Sequence, residues 1–150
     1  MAQMSKELMD LINSVPCCYW ATTSKDGTPN VAAVGTTGAV SPDTIVAAGI
    51  FLGKTLDNLR QNPKAAVIVT SVAPAPSKAE MSAEKYAQVT GAQIKGSVIL
   101  LTSGDVHEKV KSLVAKALGA AVGQLVKTTI ALKVEEIYSV SAVEPGKRIA

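Results

Sequence analysis

Aromatic residues are scarce: one Trp, one Phe and three Tyr among 150 residues. Since 47% of the chain is nonetheless hydrophobic, Ala, Val, Ile and Leu must fill the core. No apolar run reaches the roughly 20 residues that a membrane span needs. Basic residues form no block and have no aromatic residues between them, and the net charge is only +3, so neither nucleic acid nor a membrane is an expected partner. The stretch MAQMSKELMDLINSV lacks the apolar core of a secretion signal, and a cytoplasmic location is expected. The two cysteines, Cys17 and Cys18, are adjacent and would point to opposite faces of a strand. Buried free thiols are expected there, not a bond or a shared metal.

Groups that carry chemistry are equally few. Metal sites need several His, Cys or carboxylate ligands at set spacing, and none is present. The single histidine, His107, falls in the first turn of a candidate helix without a partner in sequence. It reads as a solvated helix residue, not a base or a ligand. A Ser-His-Asp triad would have to use it, and no Gly-x-Ser-x-Gly elbow is present. Glu135 and Glu136 are neighbours on a candidate strand and would face opposite ways, which makes a poor acid–base pair. No residue is singled out as catalytic.

What the chain does have is short strands, turns and helical stripes, in an order that fits a single domain over residues 1–150. A chain of this length buries roughly 68–70% of its unfolded surface without disulfides or metal. Ser5 can cap a helix to Asn13, and Pro16 ends it. Cys17–Ser24 reads as a strand, Asp26-Gly27 as a turn and Asn30–Val34 as the returning strand. After Ser41-Pro42-Asp43 comes a third strand, Thr44–Ile50, and tight turns between the three predict a meander. A helix over Lys54–Asn62 precedes Lys64–Ser71, an apolar run expected to be buried on both faces. Residues 72–85, with Pro74 and Pro76, read as a loop or short helical excursion, either covering a site or decorating the surface. Tyr86–Ser103 is a long strand interrupted by Gly91 and Gly96, which suggest bends or bulges. Asp105-Val106-His107-Glu108 resembles a capping box, and the helix after it carries Val106, Val110, Leu113, Val114, Ala117 and Leu118 as an apolar stripe to about Gly119. A final strand covers Thr128–Val143. Six strands and about three helices predict a mainly β fold, a small antiparallel barrel with helices packed outside.

The stretch that concentrates donors for an anion at one turn is TIVAAGIFLGKTLDNLRQNP, Thr44–Pro63. A buried strand leads through a turn into a helix that opens at Gly53-Lys54-Thr55. Free amides of a helix start, a lysine charge and a hydroxyl together offer an anion site. A surface lysine beside a helix-capping threonine explains the same residues. The glycines of a P-loop are missing, as is a Gly-x-Gly-x-x-Gly after a strand.

Two segments, ATTSKDGTPNVAAVG and IVAAGIFLGKTLDNLRQNPKAAVIV, resemble the flavin-binding split-barrel proteins related to pyridoxamine phosphate oxidase. The features shared are Ala21-Thr22, Asp26-Gly27 with Pro29, and Asn58-Leu59 with Asn62-Pro63. With YAQVTGAQIK (Tyr86–Lys95) the likeness covers about residues 15–100, and it is closest to small single-domain FMN-binding members. The resemblance implies a six-stranded antiparallel split barrel, Greek-key-like, with FMN as cofactor. It implies that Gly53, Lys54 and Thr55 grip the FMN phosphate. Ala48, Gly49 and Ile50 would lie along the isoalloxazine ring, with Ala33 and Val34 on the neighbouring strand. Small residues suit the close approach of a flat ring to the backbone. Asn58 matches the motif and either joins the site or ties helix to sheet. A homodimer with the flavin at the subunit interface is implied as well.

Three departures stand out. The tail EPGKRIA does not replace the Arg-rich substrate segment of pyridoxamine phosphate oxidases proper, so that substrate is not carried over. The phosphate turn holds one cation where the family has two. Phe51 and Trp20, besides three tyrosines, are the only large side chains that could stack on the ring. Three functions follow: an FMN-dependent oxidoreductase, an FMN carrier for electron transfer or storage, and a structural dimer that has lost its cofactor.

Overall fold

The computed structural model describes residues 2–71 and 77–150. Ser5 caps α1 (Lys6–Ser14), its hydroxyl accepting from the Leu8 amide at 3.2 Å, an interaction worth about 1 kcal/mol in such caps. The strands β1 (Cys18–Thr23) and β2 (Pro29–Val34) form the expected hairpin, with Gly27 at φ +87° in its turn. A strand that was not foreseen follows, β3 (Gly38–Ser41), paired with β4 (Thr44–Ala48). Then come α2 (Gly53–Gln61), β5 (Lys64–Ser71), a 3₁₀ turn (Lys78–Glu80) and α3 (Ala83–Ala87). The remaining elements are β6 (Thr90–Leu101), α4 (Asp105–Leu118), α5 (Ala120–Gln124) and β7 (Thr129–Ser139). Of the excursion expected over 72–85, residues 72–76 lie outside the described residues. Tyr86 belongs to α3 and not to the strand after it.

The seven strands form one antiparallel sheet in the order β2-β1-β5-β6-β7-β4-β3. The meander expected of the first three strands is therefore absent. The β1–β2 hairpin lies at one edge and the β3–β4 hairpin at the other, with β4 paired to β7. Yet β2 and β3 are joined by residues 35–37 alone. A flat sheet of seven strands would set its edges about 29 Å apart, which so short a link cannot span. The sheet must curl, and it closes into a mainly β split barrel with its gap between β2 and β3. Two hydroxyls bind the gap. Thr36 Oγ1 accepts from the Ala48 amide at 3.0 Å, and Thr37 Oγ1 accepts from the Trp20 indole at 2.9 Å while donating to the Val34 carbonyl.

Inside the barrel Trp20, Ile45, Val67, Ile94, Ile130, Leu132 and Ile137 are buried together. A second, smaller core joins Val46, Ala48 and Ala131 of the sheet to Val110 and Val114 of α4. This explains why all five residues of β4 are buried: one face meets the barrel core and the other meets α4. On β5, in contrast, Ala65, Val67 and Val69 are buried while the alternate residues are only partly covered or exposed, so the expected burial on both faces is not found.

The start of α4 also differs from expectation. Gly104 at φ +94° occupies the cap position, no side chain caps the helix, and Asp105 is already helical. The buried stripe is His107, Val110 and Val114, while Val106, Leu113 and Leu118 are exposed. His107 is thus not a solvated residue. It is 4% exposed, with Nδ1 2.9 Å from the Thr129 hydroxyl of β7. Among the described residues no helix is long and apolar enough to cross a membrane.

Candidate functional site

The helix α2 begins without a side-chain cap. Its first main-chain bond runs from the Leu56 amide to the Leu52 carbonyl at 2.8 Å, so the amides of Gly53, Lys54 and Thr55 have no partner among the described residues. Unpaired amides at a helix start, together with the positive end of the helix dipole, attract anions. Lys54 is exposed here and takes part in no ion pair among the described residues. A Cβ built on Gly53 would meet nothing within 4 Å, so the turn has open space beside Gly53.

The Thr55 hydroxyl does not face this opening. Thr55 is buried, and its Oγ1 accepts from Asn30 Nδ2 of β2 at 3.1 Å. The same Asn30 amide reaches Thr22 Oγ1 at 3.3 Å, and Asn58 Nδ2 donates to that oxygen at 3.2 Å. Asn58 is fully buried, and its Oδ1 lacks a partner among the described residues. This polar cluster ties α2 to β1 and β2, so Asn58 serves as a structural tie, one of its two expected roles.

Above the helix start lies a cleft of about 250 Å³ lined by Ala33, Val34, Gly35, Thr36, Ile50, Phe51, Leu52, Leu118 and Val122. Three of the expected ring-contacting residues, Ala33, Val34 and Ile50, meet there. They come from opposite ends of the sheet, β2 and the turn after β4, so β2 is not the hydrogen-bonded neighbour of β4 that was expected. The curl of the barrel brings them together. Ala48 is buried in the core beneath α4 instead. Gly49 donates its amide to the Thr128 carbonyl at 2.8 Å, and a Cβ on it would come within 2.9 Å of that oxygen. Its small size is thus required by the protein's own packing. Trp20 lies in the barrel core and cannot stack on anything in the cleft. Phe51 is 91% exposed.

A second cleft, of about 400 Å³, opens on the outer face of β1, β5, β6 and β7 and contains Lys64, Lys95, Glu135 and Glu136. Both glutamates line it because the ladder shifts by one residue there: Lys95 pairs with Glu136 but Gly96 with Val134, and Glu135 bulges out. The expectation that they face opposite ways is overturned by this bulge. Of the two, only Glu135 has a partner of opposite charge among the described residues. Lys64 bridges Glu135 at 3.0 Å, and Ser97 also donates to that carboxylate, which holds its pKa below the ordinary value. Tyr138 donates to Glu136 at 2.8 Å, and Lys95 lies 4.8 Å from the Tyr138 ring centre. Among the described residues Lys64 and Glu135 are the one ion pair in this cleft, while Lys95 faces the Tyr138 ring and Glu136 is met only by the Tyr138 hydroxyl. Cys17 and Cys18 are free, but only Cys18 is buried as expected, Cys17 being half-buried; burial pushes the Cys18 thiol up to about 11, so it stays protonated and inert.

The family model for pyridoxamine 5'-phosphate oxidase matches residues 4–141. The chain belongs to the pyridoxamine 5'-phosphate oxidase family. A family relative is an uncharacterized protein of Methanocaldococcus jannaschii, 31% identical over 135 residues, which cover 88% of this chain and 78% of that protein. Among solved structures, HupZ of Group A Streptococcus has a TM-score of 0.73 at 19% identity, covering 96% of this chain and 98% of that one. An FMN-binding protein from Syntrophomonas wolfei also has a TM-score of 0.73 at 19% identity, covering 91% and 85%. The fold extends further, to a heme storage protein from Vibrio cholerae (TM-score 0.64, 14% identity, 89% and 91% covered) and to an F420 reductase (0.59, 16%, 89% and 98%). At these identities the likeness is one of fold. The same fold thus occurs in proteins whose names refer to FMN, heme and F420.

Proposed function

We propose that this chain binds FMN and uses it as a flavin-dependent oxidoreductase. In this reading the phosphate sits on the start of α2 and the ring lies in the cleft of Ala33, Val34 and Ile50. The observation that carries it is the juxtaposition of an apolar cleft with three amides and a lysine that have no partner among the described residues, in a chain of this family. The residues present fit the group. The uncapped turn supplies donors for a phosphate, and the cleft supplies flat, small apolar walls for a ring. Bound FMN would supply the electron or hydride transfer, while the protein binds and orients it. The cleft contains no titratable side chain, so the chain itself brings no acid or base to the ring. That same observation favours a second reading, an FMN carrier without a substrate of its own.

Heme and F420 are the rival occupants suggested by the fold. The single histidine is buried against Thr129, so the usual imidazole ligand for a heme iron is not on offer from this chain. A second copy of the chain is expected to complete the site. Apolar residues left exposed on β1 and β2 support this: Tyr19 and Val31 are 49% and 67% exposed.

A titration with FMN, riboflavin, F420 and hemin tests the reading. The wild type is expected to bind FMN most tightly and to show flavin absorbance. Lys54→Ala should weaken FMN by about tenfold, the scale of one charge-assisted hydrogen bond, while leaving riboflavin nearly unchanged. Equal losses for both flavins would remove Lys54 from the phosphate site. NAD(P)H consumption in the presence of an electron acceptor would separate the enzyme from the carrier.

A further inference from the structure

Phe51 stands apart from every other large apolar residue of the chain. Among the described residues it is the one non-glycine with positive φ, at +57°. It is also the most exposed of the large hydrophobic side chains, at 91%. An aromatic residue enters the left-handed region only against steric resistance, and one left in water gains no burial in return. Two costs thus fall on one residue, and the fold recovers neither. Strain of this kind persists where the surroundings impose it and where the side chain is used.

Its position indicates the use. Phe51 lies between Ile50, which lines the cleft, and Leu52, from which α2 makes its first main-chain bond. Phe51 itself lines the cleft, together with Leu118 of α4, Val122 of α5 and Ala33 and Val34 of β2. The other aromatic that might have served, Trp20, is held in the core by its bond to Thr37. The left-handed turn therefore holds one aromatic face at the rim of an otherwise aliphatic cleft, two residues before the anion-ready amides.

We propose that Phe51 is the ring wall of the site: its phenyl face stacks on the isoalloxazine of the bound flavin, and the strained turn exists to hold it there. This rests on the FMN reading above. It adds a ligand-contacting residue that acts on the ring and not on the phosphate.

The test compares the wild type with Phe51→Asn and Phe51→Tyr by flavin fluorescence titration and thermal melting. Asparagine tolerates the left-handed region, so Phe51→Asn should melt about 2–4 °C higher without flavin. It should bind FMN and riboflavin about tenfold more weakly, by the same factor for each, as loss of a stacking partner requires. The emission of the flavin it does bind should be less quenched. Phe51→Tyr should restore both affinity and quenching. A merely structural Phe51 would lower the melting temperature and leave quenching unchanged, and that result would overturn the proposal. So would unchanged affinity in Phe51→Asn, with or without a loss of dimer, the latter assigning Phe51 to a contact between copies. If the wild type binds neither FMN nor riboflavin, the flavin reading itself falls, and the ring wall falls with it.

Discussion

Asp43, in the turn between β3 and β4, accepts hydrogen bonds from the hydroxyls of Ser41 at 2.7 Å and Thr44 at 2.8 Å, and from the Lys133 ammonium at 3.2 Å. These donors favour the carboxylate and hold its pKa down at about 2. An unfolded aspartate titrates near 3.9, so the stabilisation is complete above that pH and is lost as pH falls through about 2. Asp43→Asn should therefore flatten the acid-unfolding curve between about pH 4 and pH 2, followed by circular dichroism. Identical slopes for wild type and variant would show that the turn is not coupled to folding. At this scale sequence was a partial guide. The Ser5 cap and the free cysteines could be read directly, because both depend on near neighbours. His107 could not: its partner Thr129 lies 22 residues away on β7, so the absence of a partner in sequence said nothing about one in space.

Among the elements, β6 and β7 show most clearly what pattern alone misses. Gly91 and Gly96 pointed to bends, and both mark places where backbone comes close. A Cβ on Gly96 would lie 1.9 Å from the Lys133 carbonyl, and one on Gly91 would lie 2.1 Å from that of Val69. Gly96→Ala is expected to force the bulge apart and cost about 1–3 kcal/mol or more, measured by urea unfolding. A neutral result would mean that the two strands separate freely at the bulge. The bulge itself left its mark on β7 in the adjacent pair Glu135-Glu136, but strict alternation assigned them to opposite faces. The α4 stripe failed for a similar reason. Six apolar residues fit one helical face, yet the sheet beneath has room for His107, Val110 and Val114 only. The start and end of α2 were legible to within one residue because Gly53 and Asn62-Pro63 punctuate it locally.

For the whole molecule, the barrel was legible as a class but its connectivity was not. Turn residues announce hairpins, and both β1–β2 and β3–β4 are hairpins. Whether two hairpins lie side by side or at opposite edges depends on pairings with β5 and β7, far along the chain. This matters for the site, since Ala33 and Ile50 meet only because the sheet curls. On β1 and β2, Tyr19 and Val31 remain exposed on one face. Val31→Glu, which places a charge at the centre of that face, should convert a dimer to a monomer in sedimentation and weaken FMN with it. A variant that remains dimeric would move the interface elsewhere, and a monomeric wild type would end the two-copy reading.

The two rims of the open barrel are not alike. At β3 the Asn13 side chain of α1 copies a strand: its Oδ1 accepts from the Ala39 amide at 2.8 Å and its Nδ2 donates to the Ala39 carbonyl at 3.2 Å. One side-chain amide thus occupies the main-chain groups through which a foreign strand would add itself to the sheet. Asn13→Ala would leave the Ala39 amide and carbonyl without that partner on an edge strand, the kind of main-chain pair through which a second strand adds to a sheet.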